Sequence, residues 1–220
     1  MRRRIIFTFA ILLSAITAIQ AQAKLDFEVI KETVEKEKSY FQDIVNIFLS
    51  DDPLLRTDDI ALVYYGHSYL PTYKGGNDKN EEELKNQMAK GDTKKVYEIA
   101  KEILSYNPVS LNALFYAWRS ASDLGKPESE TTSYVTKYLN ILNMIISYGD
   151  GKSSRTPLYV ISPDDQDHLL YGIFEIEDVK GRQLDTETLC NIITVEPSRK
   201  FQARTMYINV SRFLSHTSKK

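Results

Sequence analysis

Apolar side chains recur every seven residues at Phe27, Val34, Phe41 and Phe48, with Ile30 and Ile44 beside them. That spacing puts one narrow greasy stripe on a helix and predicts a helix from Asp26 to Leu49. Asp26 serves as its N-cap, and Ser50-Asp51-Asp52-Pro53 ends it, because proline cannot continue the hydrogen-bond ladder. A second helical stretch over Asp58 to Tyr73 is interrupted by Gly66 and Pro71 and followed by a Gly75-Gly76-Asn77-Asp78 loop. Four further helices are predicted over 81–90, 93–105, 110–124 and 129–147, separated by Gly91-Asp92, Asn107-Pro108 and Gly125-Lys126-Pro127.

The middle of the chain resembles tetratricopeptide-type helical hairpins. Gly91 and Gly125 lie 34 residues apart and Pro108 lies 17 after the first. Stacked helix pairs keep such a period because each pair has an apolar side that only the next can cover. The resemblance spans Asn77 to Ser147. It departs from the pattern at Val96, Ile103 and Trp118, which stand where small residues are wanted. These helices are therefore expected to be further apart or rotated.

After Ser147 the pattern changes. Gly149-Asp150-Gly151-Lys152-Ser153 reads as a hinge. Pro157 to Ser162 reads as a short strand bounded by breakers. Ser162-Pro163-Asp164-Asp165 opens a helix carrying Leu169, Leu170, Ile173 and Phe174. Strands over Thr188 to Glu196 and Ala203 to Arg212 follow, the second alternating Met206, Ile208 and Val210 against Tyr207 and Asn209. The expected fold class is α+β: tetratricopeptide-like hairpins over 24–148, then a small antiparallel sheet with a packed helix over 149–220, joined as one unit.

The N-terminus changes the picture. Arg2-Arg3-Arg4, an uncharged apolar run over 5–19 and Ala21-Gln22-Ala23 form the three parts of a secretory leader. The run is shorter than the ~20 residues that span a bilayer, so cleavage is favoured over a membrane anchor. An exported protein, periplasmic or secreted and without a lipid-acceptor cysteine, is expected. Losing residues 1–23 leaves 25 basic residues against 30 acidic ones, a net of −5. That charge argues against nucleic acid and anionic membranes as partners. The lone Cys190 sits in an apolar run and reads as a small buried hydrophobe.

The order of segments also resembles a family of small exported Bacteroidetes proteins described as a domain of unknown function. The residues that carry this are Leu62-Val63-Tyr64-Tyr65-Gly66, the 149–153 segment leading into Tyr159-Val160-Ile161-Ser162, and Met206-Tyr207-Ile208-Asn209-Val210. The resemblance implies an envelope or secreted setting and brings no catalytic residues.

Candidate chemistry is sparse. Gly151-Lys152-Ser153 invites a phosphate-loop reading, but that motif needs a glycine where Ile146 stands and a strand before the loop. Asp164, Asp165, Asp167 and His168 are a metal-like cluster, yet two facing ligands from one helix do not close a site, and acids at a helix start complement its dipole. No nucleophile elbow or His-Glu-x-x-His is present. Tyr64, Tyr65, Tyr69 and Tyr73 offer a surface able to stack on sugars or anchor peptides; the alternative is that they seal a helix seam. A concave groove of the hairpin stack would present Asn112, Phe115, Arg119 and Ser122, with Glu81 and Lys85 from the preceding helix. No catalytic residue, metal or cofactor is assigned. The expected function is a non-catalytic binding module for a protein, peptide or glycan in the cell envelope. The alternatives are a carboxylate- or metal-dependent hydrolase near Asp164 to His168 or Glu175, and a structural subunit.

Overall fold

The computed structural model describes residues 25–217; the leader expected over residues 1–23 lies outside them. The helices are α1 (Phe27–Lys36), α2 (Lys38–Leu49), α3 (Thr57–His67), α4 (Lys79–Lys90), α5 (Thr93–Tyr106), α6 (Leu111–Asp123) and α7 (Glu128–Tyr148). Next come strand β1 (Leu158–Tyr159) and the single turn α8 (Asp165–Asp167), which runs into a π-helical turn, His168–Ile173. Strands β2 (Val179–Asp185), β3 (Cys190–Val195) and β4 (Thr205–Asn209) and helix α9 (Ser211–Thr217) complete the order. The fold is α+β.

Local chemistry sets the helix ends. Asp26 accepts from the backbone N–H groups of Glu28 and Val29, Asp92 from that of Lys95, and Ser110 from that of Ala113. Gly91 closes α4 in the left-handed region at φ 73°, where a Cβ would be strained. The helix expected over 26–49 is broken at Glu37, whose φ and ψ are −111° and 49°. The stripe is continuous, but its buried members face two directions: Ile30 and Val34 lie on α1, and Phe41, Ile44 and Phe48 on α2. The break lets both halves wrap around α3.

Helix α3 is buried on nearly every side, from Asp59 through His67 with only Leu62 partly open. Such a helix is central rather than amphipathic. Gly66 makes the close approach possible. A Cβ there would lie 2.8 Å from Phe41 Cε2 and 3.0 Å from Val34 Cγ2. Gly66→Ala is expected to lower stability by about 1–3 kcal/mol, the usual range for overpacking, as read from a urea midpoint.

Helices α4 to α7 pack in succession. Val96 and Ile103 are buried against Leu84, Ala100, Ala113 and Ala117, so alanines of α5 and α6 supply the small partners the hairpins need. Trp118 does not sit between backbones. It is half-buried, edge-on to Phe115 at 5.8 Å, with the Arg119 guanidinium 6.0 Å from its ring.

The sheet runs β1-β4-β3-β2. β2–β3 and β3–β4 are antiparallel, whereas β1 pairs parallel with β4, so the sheet is mixed. β2 is mostly exposed and carries Lys180 and Arg182, charges that protect an open edge from further pairing. The helix expected from Pro163 is a single α turn that widens into the π turn. One core crosses the molecule: Tyr64, Ile141, Leu142 and Ile145 share it with Leu158, Val160, Met206 and Ile208.

Candidate functional site

Two places stand out, a polar seam and an apolar groove. The first is the seam between helices α4, α6 and α7 and the 161–168 segment. Asn112 stands at its centre. Its side-chain NH2 donates to Asp164 Oδ2 at 2.8 Å and to Glu81 Oε2 at 3.3 Å, and its oxygen lies 2.8 Å from His168 Nε2. An amide oxygen only accepts, so Nε2 carries the His168 proton. Nδ1, 3.1 Å from the Tyr138 hydroxyl, then accepts from it. Both ring positions are thereby used. Lys85 Nζ is 2.6 Å from the Asp164 carboxylate, and Ser110 donates to Glu81.

Below this lies Asp165, buried, accepting from the Tyr64 hydroxyl at 2.7 Å and from Ser162 N–H at 2.9 Å. Burial pushes the Asp165 carboxyl up to about 7, raises Glu81 and pushes His168 down to about 4. Glu81, Asn112, Asp164 and Asp165 line a space of about 40 Å³, room for no more than a water or two. Asn107 Oδ1, which belongs to its lining residues, is the one buried side-chain polar atom without a partner among the described residues. Among those residues no group of three or more His, Cys, Asp or Glu is arranged to hold a metal ion. The Gly149–Ser153 segment follows α7 directly, so no strand precedes it.

The second place is a groove of about 750 Å³ where α1 and α2 meet α3 and the end of α5. Its walls are Val34, Phe41, Val45, Leu49, Val63 and Leu104, closed by Leu70, Pro71 and Pro108. The charged residues on it are Glu35 and Lys38, both exposed and flanking the Glu37 break. His67, only 4% exposed, also lines it. Its ring packs edge-on to Tyr73 at 6.1 Å and makes no hydrogen bond among the described residues. Neither ring nitrogen is sealed away, since Asn107 Oδ1 alone has that condition. The imidazole therefore retains access to the groove. Burial holds it neutral, its pKa pushed down to about 4.

The residues singled out from sequence go to different places. Asn112 joins the seam, and Phe115 packs beside it, 5.7 Å from the His168 ring and 5.6 Å from Tyr138. Arg119 and Ser122, further along α6, are exposed. Tyr64 and Tyr65 are fully buried. Their hydroxyls, with that of Tyr73, fasten the 159–165 segment: Tyr65 donates to Tyr159 O at 3.2 Å and Tyr73 to Ile161 O. Tyr69 lines the groove, donates to Phe27 O at 3.0 Å and lies 3.9 Å beneath the Arg212 guanidinium. Phe41, Val45 and Leu104 were not singled out as site residues. Each reads as ordinary helix stripe, and no spacing signal could have set them apart. Cys190 is buried, and burial raises its thiol pKa.

Among the described residues no helix is long and apolar enough to cross a membrane. Comparison with curated proteins and with solved structures gave no significant match. Residues 28–219 do match a family model described as a domain of unknown function, DUF4919, and the chain belongs to that family.

Proposed function

We propose that this is an exported, non-catalytic binding protein whose site is the groove between α1, α2, α3 and α5. Export rests on the Arg2–Arg4, 5–19 and Ala21-Gln22-Ala23 pattern. The binding reading is carried by one observation: an apolar concavity of about 750 Å³ has in its lining a buried imidazole with no hydrogen-bond partner among the described residues. Ligand sites are typically apolar clefts of ~300–1,000 Å³ with a few placed polar groups. The seam supports a binding role over hydrolysis by the way its groups are spent. His168 has both nitrogens engaged, and Asp164 is held by Lys85 and Asn112, so neither is free to act as a base on a substrate.

The walls are largely apolar, and the Tyr69 and Tyr106 hydroxyls that line them are already spent on Phe27 O and Asp78, which favours an apolar small molecule over a glycan, a ligand that needs many hydrogen bonds. The test is fluorescence titration with N-phenylnaphthylamine, a neutral apolar dye. Saturable one-site binding is expected, and Val45→Trp, which fills the groove from a partly open position, is expected to abolish it. Binding unchanged in Val45→Trp, or no saturation in the parent protein, would overturn the assignment. Asp164→Asn serves as a control outside the groove and is expected to leave dye affinity unaltered.

A further inference from the structure

We infer that the groove's ligand is an uncharged, largely apolar molecule bearing one N–H or O–H group that hydrogen-bonds to His67. This deepens the binding assignment above and rests on it. Three observations carry it.

The first is charge. The groove's charged residues are Glu35 and Lys38, opposite in sign, three positions apart and both exposed at the rim. They sum to zero and leave no buried counter-charge. An anionic or cationic ligand entering between Phe41, Val45 and Leu104 would lose its hydration with nothing inside to replace it.

The second is the imidazole. His67 is 4% exposed and has no hydrogen-bond partner among the described residues, yet its nitrogens are not sealed. A neutral imidazole offers one N–H and one lone pair. Left in an apolar wall, both are poorly solvated, and a ligand that supplies a matching group recovers that loss. A single N–H or O–H satisfies the ring's lone pair. A peptide strand, with a donor and an acceptor at every residue, would leave most of its own backbone unpaired against these walls.

The third is size. About 750 Å³ admits a molecule of two or three fused or linked rings, or a comparable aliphatic body. Helix α3 delivers His67 at its last position, one residue after Gly66. The same close approach that seats Phe41 and Val34 on Gly66 therefore also holds the imidazole at the foot of the groove.

The experiment uses three dyes of nearly one shape: N-phenylnaphthylamine, its N-methyl derivative, and anilinonaphthalenesulfonate, which adds an anionic group to the same rings. The neutral amine is expected to bind at least about tenfold tighter than the sulfonate, since the anion must shed its hydration. N-methylation removes the only donor and is expected to weaken binding by about three- to tenfold, the worth of one hydrogen bond, and by less than about twofold in His67→Phe. A sulfonate that binds as tightly as the neutral amine, or methylation that acts equally with and without His67, overturns the inference while leaving the groove a binding site. Failure of all three dyes to saturate overturns the binding assignment itself. Should His67→Phe not fold, movement of the His67 ring 15N resonances on adding N-phenylnaphthylamine, and not on adding the N-methyl dye, decides the same point.

Discussion

Gly149→Ala is expected to destabilise the protein by about 3 kcal/mol or more, the upper part of the range for overpacking. A Cβ at Gly149 would sit 2.0 Å from the Pro157 carbonyl oxygen and 2.7 Å from its carbon. Backbone conformation is not the obstacle, because φ of −159° and ψ of 149° are open to any residue. Space is. The obstructing atoms are main chain, so no rotamer change relieves the contact. Between the two positions the chain makes a tied turn. Gly151 N–H donates to Thr156 O at 2.9 Å, and Asp150 accepts from the Thr156 hydroxyl at 2.6 Å and from Lys152 N–H at 3.0 Å. Tyr207 N–H then donates to Gly151 O at 2.8 Å. Forcing Pro157 away would pull β1 off β4 and open the core that α7 shares with the sheet. Gly181→Ala is the control. Nothing lies within 4 Å of its Cβ position, so a change within about 0.5 kcal/mol is expected. Urea midpoints for the two variants make the comparison, and equal midpoints would contradict it.

Asp165→Asn is expected to steepen the loss of stability in acid. The signs follow from the shifted groups. The Asp165 carboxyl is raised from 3.8 to about 7 in the folded protein. Its contribution is complete below the lower value and is lost as pH rises through the higher one. His67 and His168 are lowered from 6.5 to about 4. Their contribution is present above pH 6.5 and is lost as pH falls toward 4. Glu81 is raised by burial and acts in the same sense as Asp165 at the acid end. Between pH 5 and 6 the unfolded chain thus holds nearly two extra imidazole protons, and the folded chain holds one extra carboxyl proton. The net slope is about 1 kcal/mol per pH unit for the parent protein and about 2 for Asp165→Asn, whose amide cannot titrate. The asparagine oxygen can still accept from the Tyr64 hydroxyl and Ser162 N–H, so the hydrogen bonds are retained. Chemical denaturation at pH 5, 6 and 7 measures both slopes, and parallel lines for the two proteins would refute the account.

The helical half of the chain could be read at the level of single turns. The spans expected for α4 to α7 differ from those observed by one or two residues at most ends, because Gly91, Pro108 and Gly125 interrupt strongly periodic segments. At Val96 and Ile103 the small partners come from Ala113 and Ala117 across the interface, and Trp118 is half-buried beside Phe115. The break at Glu37 was not legible, since the heptad stripe runs through it without a proline or glycine. It becomes necessary only because α3 is short and must be wrapped from two directions. Strand β2 was missed because it buries almost nothing and shows no alternation. Helix α9, too short for a periodic signal, is held in place by Arg212 on Ser68 and Tyr69.

The candidate groove illustrates the same limit. His67 was visible only as a histidine among tyrosines, and those tyrosines invited a surface reading. Tyr64, Tyr65 and Tyr73 instead spend their hydroxyls on the 159–165 segment, which leaves His67 and Tyr69 as the members of that cluster lining the groove.

What could be known from the order of amino acids was what near neighbours govern: the spans of α4 to α7, their caps and turns, and the change to strands after residue 148. These depend on interactions across a few residues, which leave periodic traces. The parallel pairing of β1 with β4, the inward turn of Asn112 toward His168, and the meeting of Val34, Val45, His67 and Leu104 around one space required the folded chain. Those contacts join segments tens of residues apart, and their worth comes from burial and exclusion of water, which no local pattern records.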